Sequence, residues 1–152
     1  MKHASLLALS MIIIVSKCEQ RAIAPVPING TIDVCTACQM SVSDNGYAAE
    51  IVLKNGKAYK FDDIGCLFGY LLENNSLKAE KKYVQDRDTK RWVEIDKAYF
   101  VEDRAVHTPM SYGIHAFESR ASADKFASIQ KQDRLFTATE LLSRYPLAGN
   151  AK

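Results

Sequence analysis

One arrangement occurs twice along the chain, and it constrains the fold more than any other feature of the sequence. The segments AYKFDDIGCLFGYLL (58–72) and GIHAFESRASADKFA (113–127) both run from strand-forming residues through a phenylalanine and a capping residue into a helix-forming stretch. Self-similarity of this kind indicates a duplicated supersecondary unit. We therefore predict an α+β fold of two small tandem β-β-α units with antiparallel strands, followed by a short C-terminal helix in TATELLSRY (137–145).

The first unit is defined by a hairpin and an amphipathic helix. Residues 47–53 and 58–61 are strand-like, and the Asn-Gly pair between them favours a two-residue turn because both residue types tolerate positive φ. Asp62 or Asp63 can cap the helix that follows. The apolar residues of this helix recur at the spacing of a single helix face: Ile64, Leu67, Phe68, Leu71 and Leu72.

The second unit has the same signals in a longer segment. Three stretches are strand-like: 92–95, 99–101 and 113–117. Ser119 or Ser122 can cap the next helix, and Thr137 with Glu140 has the spacing of a capping box before the last one. We divide the chain into five segments: a lipoprotein-type signal peptide (1–18), a flexible tether (19–31), a first β-β-α unit (32–82), a second β-β-α unit (83–145) and a tail (146–152).

The N-terminus has the pattern of an export signal. Lys2 and His3 precede an apolar run of about a dozen residues, which is too short to span a bilayer. The run closes at Cys18, and this arrangement resembles a bacterial lipoprotein signal, in which the cysteine becomes the lipidated first residue. Lys17 departs from that pattern, since a small residue is usual there. The alternatives are an uncleaved anchor and a free thiol at Cys18.

The charge of the exported part argues against one large class of partner. The full chain has a net charge of +2, and both excess charges, Lys2 and Lys17, lie in the leader. A neutral body lacks the positive field that nucleic-acid phosphates require, so we expect no nucleic acid as a partner. The sequence contains no Gly-rich phosphate loop, no G-x-S-x-G and no H-E-x-x-H. We therefore expect a protein that is not an enzyme.

The segment VCTACQM (34–40) places Cys35, Cys38 and Met40 within six positions. A disulfide between the two cysteines would close a very small loop and stabilise little. A thioredoxin-type centre needs its motif at the start of a helix, a zinc site needs a further ligand pair, and neither follows here. Cu(I) favours thiolate and thioether sulfur, and an extended segment would put Cys38 and Met40 on one side. On this spacing, copper and a structural disulfide both remain open.

A second region supplies further candidate ligands. Met110 lies in HTPMSYGIHAF (107–117), a turn rich in Ser, Gly and Tyr, where a core methionine is unusual. An exposed Met110 could point at the sulfurs of the first region, which favours copper. His115 is expected on a sheet face, either as a third ligand or as a group behind the ligands, since imidazole also suits copper. His107 is interpreted as a solvated loop residue.

Cys66 lies near the start of the first helix, away from its apolar stripe. The helix dipole favours a thiolate there, whereas the carboxylates of Asp62 and Asp63 oppose it. Three interpretations are open for Cys66: an accessory copper ligand, a disulfide partner of Cys35 or Cys38, and an inert thiol. Because these three cysteines are an odd set, at least one must stay free for a metal or a partner.

A resemblance to a known family rests on two stretches, DVCTACQMSVSDNGYAAEIVLKNGKAYKFDDIGCLFGYLLE (33–73) and TPMSYGIHAF (108–117). Together they resemble the NosL family of copper-binding lipoproteins, which are accessory proteins in the assembly of nitrous oxide reductase. The resemblance implies a lipid-anchored periplasmic protein of two β-β-α units that binds one Cu(I) and delivers it to the reductase. On this chain it implies Cys38 and Met40 as ligands with Met110 as the third, and it implies Cys35 and His115 less firmly.

We therefore expect a membrane-tethered copper chaperone on the periplasmic face of a bacterial membrane. The expected partners are an exported copper enzyme, nitrous oxide reductase by the resemblance, and a membrane transporter. In the expected mechanism a partner's ligand enters an open position on Cu(I) and the ion moves across. The alternatives are a periplasmic thiol-disulfide protein that uses Cys35 and Cys38, and a structural lipoprotein whose cysteines only cross-link.

Overall fold

The structure, a computed structural model, describes residues 23–79 and 81–144. The predicted signal peptide, its Cys18 and the predicted tail lie outside the described residues. The described part contains these elements in chain order: β1 (Ala49–Val52), β2 (Ala58–Phe61), α1 (Ile64–Glu73), β3 (Lys81–Gln85), β4 (Trp92–Glu94), a 3-10 turn (Ile95–Lys97), β5 (Tyr99–Glu102), β6 (Ile114–Phe117), α2 (Arg120–Gln130) and α3 (Ala138–Arg144).

The strands form two antiparallel sheets. One sheet has four strands in the order β2-β1-β3-β4, and the other is the pair β5-β6. Because α1 follows β2 and α2 follows β6, the strand-strand-helix order occurs twice along the chain. The predicted α+β class, with antiparallel pairing and a short C-terminal helix, is confirmed.

The larger sheet contains two strands that the sequence does not assign to it. β3 pairs with β1 through Val84 and Ala49, and β4 pairs with β3 through Val93 and Val84. The sequence places 92–95 in the second unit, and the predicted start of that unit at residue 83 falls inside β3. A tight turn closed by the Asp86 N–H and the Arg91 carbonyl, 2.8 Å apart, returns β4 beside β3. Consecutive strands with so short a connection pair with each other, so β4 joins the sheet of β3 although the sequence places it in the second unit.

The hairpin between β1 and β2 differs from the predicted two-residue turn. The Leu53 N–H donates to the Lys57 carbonyl at 2.9 Å, which leaves three residues in the loop. Gly56 has a φ of +83° and closes that loop with a bond from its N–H to the Leu53 carbonyl, 2.9 Å long. The Asn55 side chain accepts from the Lys57 N–H at 3.0 Å. The two-residue prediction is therefore wrong, and the loop is of the longer kind in which glycine takes the left-handed position.

A side-chain cap lies at the start of each described helix, α1, α2 and α3, where the sequence predicts one. The Asp63 carboxylate accepts from the Gly65 N–H at 2.8 Å and begins α1, and the Ser119 hydroxyl accepts from the Ser122 N–H at 3.1 Å and begins α2. Thr137 and Glu140 bond reciprocally before α3, the Glu140 N–H to Thr137 Oγ1 at 3.2 Å and the Thr137 N–H to Glu140 Oε2 at 2.8 Å. The capping box is confirmed, and Asp63 and Ser119 are the caps among the predicted pairs.

One main hydrophobic core joins the two repeats. It contains residues from the four-stranded sheet and α1, and also Phe100 of β5 and Leu141 of α3. A smaller cluster lies under α2 and includes Phe117 and Phe126. The main core also contains two cysteines, Cys35 and Cys66, so the thiols are part of its packing.

The described part of the predicted tether, residues 23–31, is bonded to the sheet. The Val26 N–H donates to Glu50 at 2.8 Å, Lys60 Nζ donates to the Pro27 carbonyl at 2.7 Å, and the Tyr83 hydroxyl donates to the Ile23 carbonyl at 2.6 Å. Among residues 23–79 and 81–144, no helix combines the length and apolar character needed to cross a bilayer.

Candidate metal centre

Residues 35–40 form a closed loop, which we call the cysteine loop. The Cys35 N–H donates to the Met40 carbonyl at 2.7 Å, and the Gln39 N–H donates to the Cys35 carbonyl at 3.0 Å. Gln39 has a φ of 65°, in the left-handed region, so the chain reverses inside the loop. The predicted extended geometry at Cys38 and Met40 is therefore wrong. The loop buries Cys35 completely, leaves Cys38 half-buried, and leaves 57% of Met40 exposed.

The start of α1 lies against the cysteine loop. The Thr36 N–H donates to the Lys60 carbonyl at 2.8 Å, which ties the loop to the end of β2. Helix α1 begins three residues later, and every residue from Asp62 to Phe68 is buried. Of the predicted apolar stripe, Ile64, Leu67 and Phe68 lie in the core, Leu71 packs against it and Leu72 does not. Cys66, on another side of the helix, is also buried with 3% exposed. The first turn of α1 is therefore covered all round.

Four ligand atoms converge where the loop meets the helix. The Sγ atoms of Cys35, Cys38 and Cys66 and one carboxylate oxygen of Asp62 all lie within 4.8 Å of one another. We call these four residues the cysteine cluster. All three cysteines are free thiols in this structure. Three sulfurs around a metal at about 2.3 Å lie about 4 Å apart, so the cluster needs only a small contraction to hold an ion.

The thiols of the cluster differ in their readiness to ionise. The Cys66 thiol, hydrogen-bonded to the Cys35 sulfur, is the main cause that lowers the Cys35 pKa to about 6, and backbone N–H groups of the cysteine loop and of Asp62 add to the effect while burial opposes it. Burial is the main cause that raises the pKa of Cys38 to about 12. The hydrogen bond to Cys35, followed by burial, raises the pKa of Cys66. The surroundings of the cluster therefore favour ionisation of Cys35 over that of Cys38 and Cys66.

Asp62 and Asp63 are neighbours with different roles. Cys38 Sγ donates to Asp62 Oδ1 at 3.3 Å, so Asp62 belongs to the cluster. Asp63 caps α1 and accepts from the Met110 N–H at 2.9 Å and from the Thr108 hydroxyl. Burial raises the pKa of Asp63, while these hydrogen bonds act in the opposite direction.

The loop of residues 108–112 covers the same helix start from the other side. Met110 is bonded through its backbone to Asp63, and 38% of the residue is exposed. The Tyr112 ring lies on Gly65, where an added Cβ would come within 2.1 Å of a ring carbon. Burial raises the pKa of Tyr112. A second stretch of chain with a methionine therefore reaches the helix turn that carries Cys66.

The two histidines of this region lie elsewhere. His115 is fully buried, its ring 4.8 Å from that of Phe126 and 5.8 Å from that of Tyr47, with Nε2 3.3 Å from the Asp103 carbonyl. Burial lowers the pKa of His115, and its Nδ1 has no hydrogen-bond partner among the described residues. It is not among the converging ligand atoms. His107 is exposed, as predicted.

The structure brings together three of the predicted site residues and adds one. Cys35, Cys38 and Cys66 converge, and Asp62, which the sequence suggests only as a helix cap, joins them. The sequence does carry a signal for Asp62, because it lies directly before a capped helix whose first turn bears a cysteine. To identify Asp62 as a ligand from this signal, one must also know where the cysteine loop lies in the fold. The spacing of residues along the chain does not give that position.

Comparison with known proteins identifies a family and a similar solved structure. The model of the NosL family matches residues 25–143. The crystal structure of the copper chaperone NosL from Shewanella denitrificans is similar with a TM-score of 0.68 and 20% sequence identity, over 78% of this chain and 95% of that one. At that identity the likeness establishes a shared fold. The curated proteins contain no match.

Proposed function

Because the chain belongs to the NosL family, we propose that it is a copper chaperone that binds Cu(I) and passes it to another protein. The observation that supports this most is the cysteine cluster, whose three sulfurs and one carboxylate oxygen lie within 4.8 Å of one another. Two exposed methionines belong to neighbouring segments: Met40 ends the cysteine loop, and Met110 is bonded through its backbone to Asp63. Thiolate and thioether sulfur is the ligand set that Cu(I) prefers.

In this proposal Cys38 is the central ligand. It is the half-buried member of the cluster and lies two residues from the exposed Met40. Met110 belongs to the loop bonded to the cap of α1, and closes the site from the second repeat. Cys35 and Cys66 supply thiolate from the buried side. We leave His115 out of the ligand set because its ring is packed against Phe126 and the cluster lies elsewhere.

Transfer follows from the exposure of the methionines. A thioether is a neutral and weakly held ligand, and at the surface it can be displaced by a partner's sulfur or nitrogen without opening the core. The thiolates remain below the ion while the incoming ligand binds from solvent. The buried thiols also lose protons when the ion binds, since the metal requires thiolate. The arrangement therefore suits an ion that is bound firmly and released to a docked partner.

The location and partners follow from the N-terminal sequence and the family. We propose that Cys18 is lipidated and anchors the protein at the periplasmic face of a bacterial membrane. Residue 23 is already bonded to the sheet through its carbonyl, and five residues span at most about 18 Å, so the body would lie close to the lipid surface. We propose nitrous oxide reductase as the recipient and a membrane transporter as the source of the ion. The family and the copper chaperone named in the similar structure support a recipient of this kind.

The proposal is tested by titrating the reduced chain with Cu(I) against a coloured chelator without oxygen. We expect the chain to take copper from the chelator and Cys38→Ser to bind at least about a hundredfold more weakly, a loss of about 2.8 kcal/mol. Met40→Leu keeps the side-chain volume and should bind roughly tenfold more weakly, about 1.4 kcal/mol. Ile129→Ala, an equally exposed apolar change on α2, is the matched control. A chain that takes no copper would overturn the proposal.

One observation favours a second candidate, a thiol-disulfide protein. The Cys35 pKa is lowered to about 6, mainly by the Cys66 thiol, and a low pKa is typical of reactive thiols. However, Cys35 has no exposed surface, and turns rather than a helix follow the motif. This candidate requires reductant-dependent reduction of disulfide substrates that survives Met40→Leu. Absence of that turnover, with copper affinity sensitive to Met40, distinguishes the chaperone.

A further inference from the structure

The sulfur ligands near the cysteine loop fall into two layers. The inner layer contains Cys35 and Cys66, which are 0% and 3% exposed. The outer layer contains Met40 and Met110, which are 57% and 38% exposed. Cys38 is intermediate in exposure; its Sγ lies within 4.8 Å of both inner sulfurs, and Met40 follows it by two residues along the chain. Cu(I) is satisfied by two or three soft ligands, so five sulfurs exceed what a single ion uses.

We propose that the chain holds two Cu(I) ions that share the Cys38 thiolate: an inner ion bound by Cys35, Cys38 and Cys66, and an outer ion bound by Cys38, Met40 and Met110. This inference rests on the proposed copper chaperone function and extends it. A thiolate sulfur has enough lone pairs to bridge two ions, whereas the thioethers each serve one. The outer ion is the cargo, and the inner ion stays with the chain.

Charge supports two ions rather than one. Three thiolates around one Cu(I) leave two negative charges in a site that is mostly buried, and Asp62, only 4% exposed, places a carboxylate beside them. Uncompensated buried charge is costly. A second Cu(I) on the bridging Cys38 sulfur removes one of these charges. The thioethers of Met40 and Met110 are neutral and add no negative charge, so they suit the second ion.

The bonds of the cysteine loop support different lifetimes for the two ions. The inner sulfurs belong to a loop closed between Cys35 and Met40 and to the covered first turn of α1. Releasing the inner ion requires both elements to open. The outer ion has two ligands at the surface, and a partner can replace them one at a time. The inner ion therefore keeps the loop and Cys38 in place after the cargo leaves.

The test is the amount of Cu(I) that one chain retains. The reduced full chain, purified in detergent with Cys18→Ser to exclude a stray thiol, is saturated with Cu(I) without oxygen and desalted, and copper is measured per chain. We expect two ions per chain. A weak Cu(I) chelator should then remove one ion quickly and the other at least tenfold more slowly.

Variants of each layer assign the two positions. Cys35→Ser with Cys66→Ser should halve the retained copper and leave one readily removed ion. Met40→Leu with Met110→Leu should also halve it, and the remaining ion should resist the chelator. Circular dichroism checks that each variant is folded. If the cysteine variant does not fold, X-ray absorption of the loaded Cys18→Ser chain decides instead, and a copper–copper vector is expected.

The outcomes separate this inference from the function on which it rests. One ion per chain at saturation, without a copper–copper vector, would overturn the two-ion site and leave the chaperone intact. No retained copper would overturn both. Two ions that survive unchanged in the folded cysteine variant would place the second ion away from the inner layer and would also overturn the inference.

Discussion

The starts of α1 and α2 have the same local structure and different surroundings. Each helix follows a strand that closes on a phenylalanine, and each begins at a side-chain cap, Asp63 in α1 and Ser119 in α2. Every residue from Asp62 to Phe68 is buried, whereas residues 118–121 are exposed. Cys66 and Ser122 occupy the same place in the two repeats. The repeated strand-cap-helix order therefore accounts for the shared local structure, and the segments that cover α1 account for the difference in burial.

Hydrogen bonds also link the two repeats in both directions. Asp63 at the start of α1 accepts from the Met110 N–H of the second repeat at 2.9 Å. Asp86, after β3 of the larger sheet, accepts from the Glu118 N–H before α2 at 2.7 Å. Only the first of these links brings a loop over the helix start. Three pairs of changes test whether this difference in cover is the cause of the proposed difference in copper binding, and a fourth change tests a carboxylate buried under the N-terminal segment.

The largest effect is expected from removing the two caps. Asp63→Ala leaves the Gly65 and Met110 N–H groups and the Thr108 hydroxyl without their acceptor, all close to buried surface. Buried unsatisfied donors cost about 1–3 kcal/mol each, so we expect a loss of roughly 3 kcal/mol or more in the free energy of unfolding. Ser119→Ala removes an exposed cap and should cost about 1 kcal/mol. Urea denaturation measures the loss in free energy of unfolding for both variants. Equal losses would contradict the inferred difference in cover between the two helix starts.

A pH effect of similar size is expected at Glu50, which lies under the N-terminal segment. Burial raises its pKa to about 7, and within residues 23–79 and 81–144 its Oε1 has no hydrogen-bond partner. A folded-state pKa above the unfolded value of 4.5 means that stability is lost as pH rises from about 4.5 through about 7. The loss approaches about 3 kcal/mol. Asp86, which accepts several hydrogen bonds, has a lowered pKa despite burial, and its contribution is lost in the opposite direction, as pH falls.

Glu50→Gln measures this effect. The variant should be more stable than the parent above pH 7 and should lose that advantage by about pH 4.5, as followed by urea denaturation across this range. Glu73→Gln, an exposed change at the end of α1, serves as the control and should retain the parent's pH dependence. Parallel curves for Glu50→Gln and the parent would contradict the role of Glu50.

A smaller effect is expected from exchanging the small residues after the caps. Gly65→Ala puts a Cβ 2.1 Å from the Tyr112 ring, so the ring and the 108–112 loop must move. We expect about 2 kcal/mol of destabilisation from overpacking and weaker copper binding through displacement of Met110. The matching residue of α2 is already alanine and exposed, and Ala121→Gly should cost about 1 kcal/mol. A Gly65→Ala chain with unchanged copper affinity would show that this loop does not contribute to the site.

The smallest effect is expected from giving α2 the missing thiol. Ser122→Cys places a cysteine at the helix position of Cys66, but no cysteine loop covers it. Retained copper per chain should therefore not change, as measured after desalting. Cys66→Ser should lower it. An added copper ion in Ser122→Cys would indicate that the helix start alone creates the site.

These contrasts explain which parts of the molecule can be predicted from sequence. Caps such as Asp63 and the Thr137–Glu140 box depend on residues a few positions apart, and the spacing identifies them. The sheet that β4 joins depends on a pairing with β3, and nothing in 92–95 marks it. The convergence of Cys35 with Cys66 depends on a bond between Thr36 and Lys60, 24 residues apart, which lies beyond any local pattern. Likewise, the chain reverses at Gln39, which takes the left-handed conformation, so Cys38 and Met40 do not lie on one extended segment. The residue types around Gln39 do not predict this reversal.

The most direct test of the central claim is X-ray absorption at the copper edge of the reduced, Cu(I)-loaded chain. The claim is that sulfur from the cysteine loop, α1 and the 108–112 loop holds the copper. We expect a first shell of sulfur alone, with fewer sulfur neighbours in Met40→Leu and in Met110→Leu. A shell of nitrogen or oxygen, or one that neither methionine variant changes, would contradict the claim.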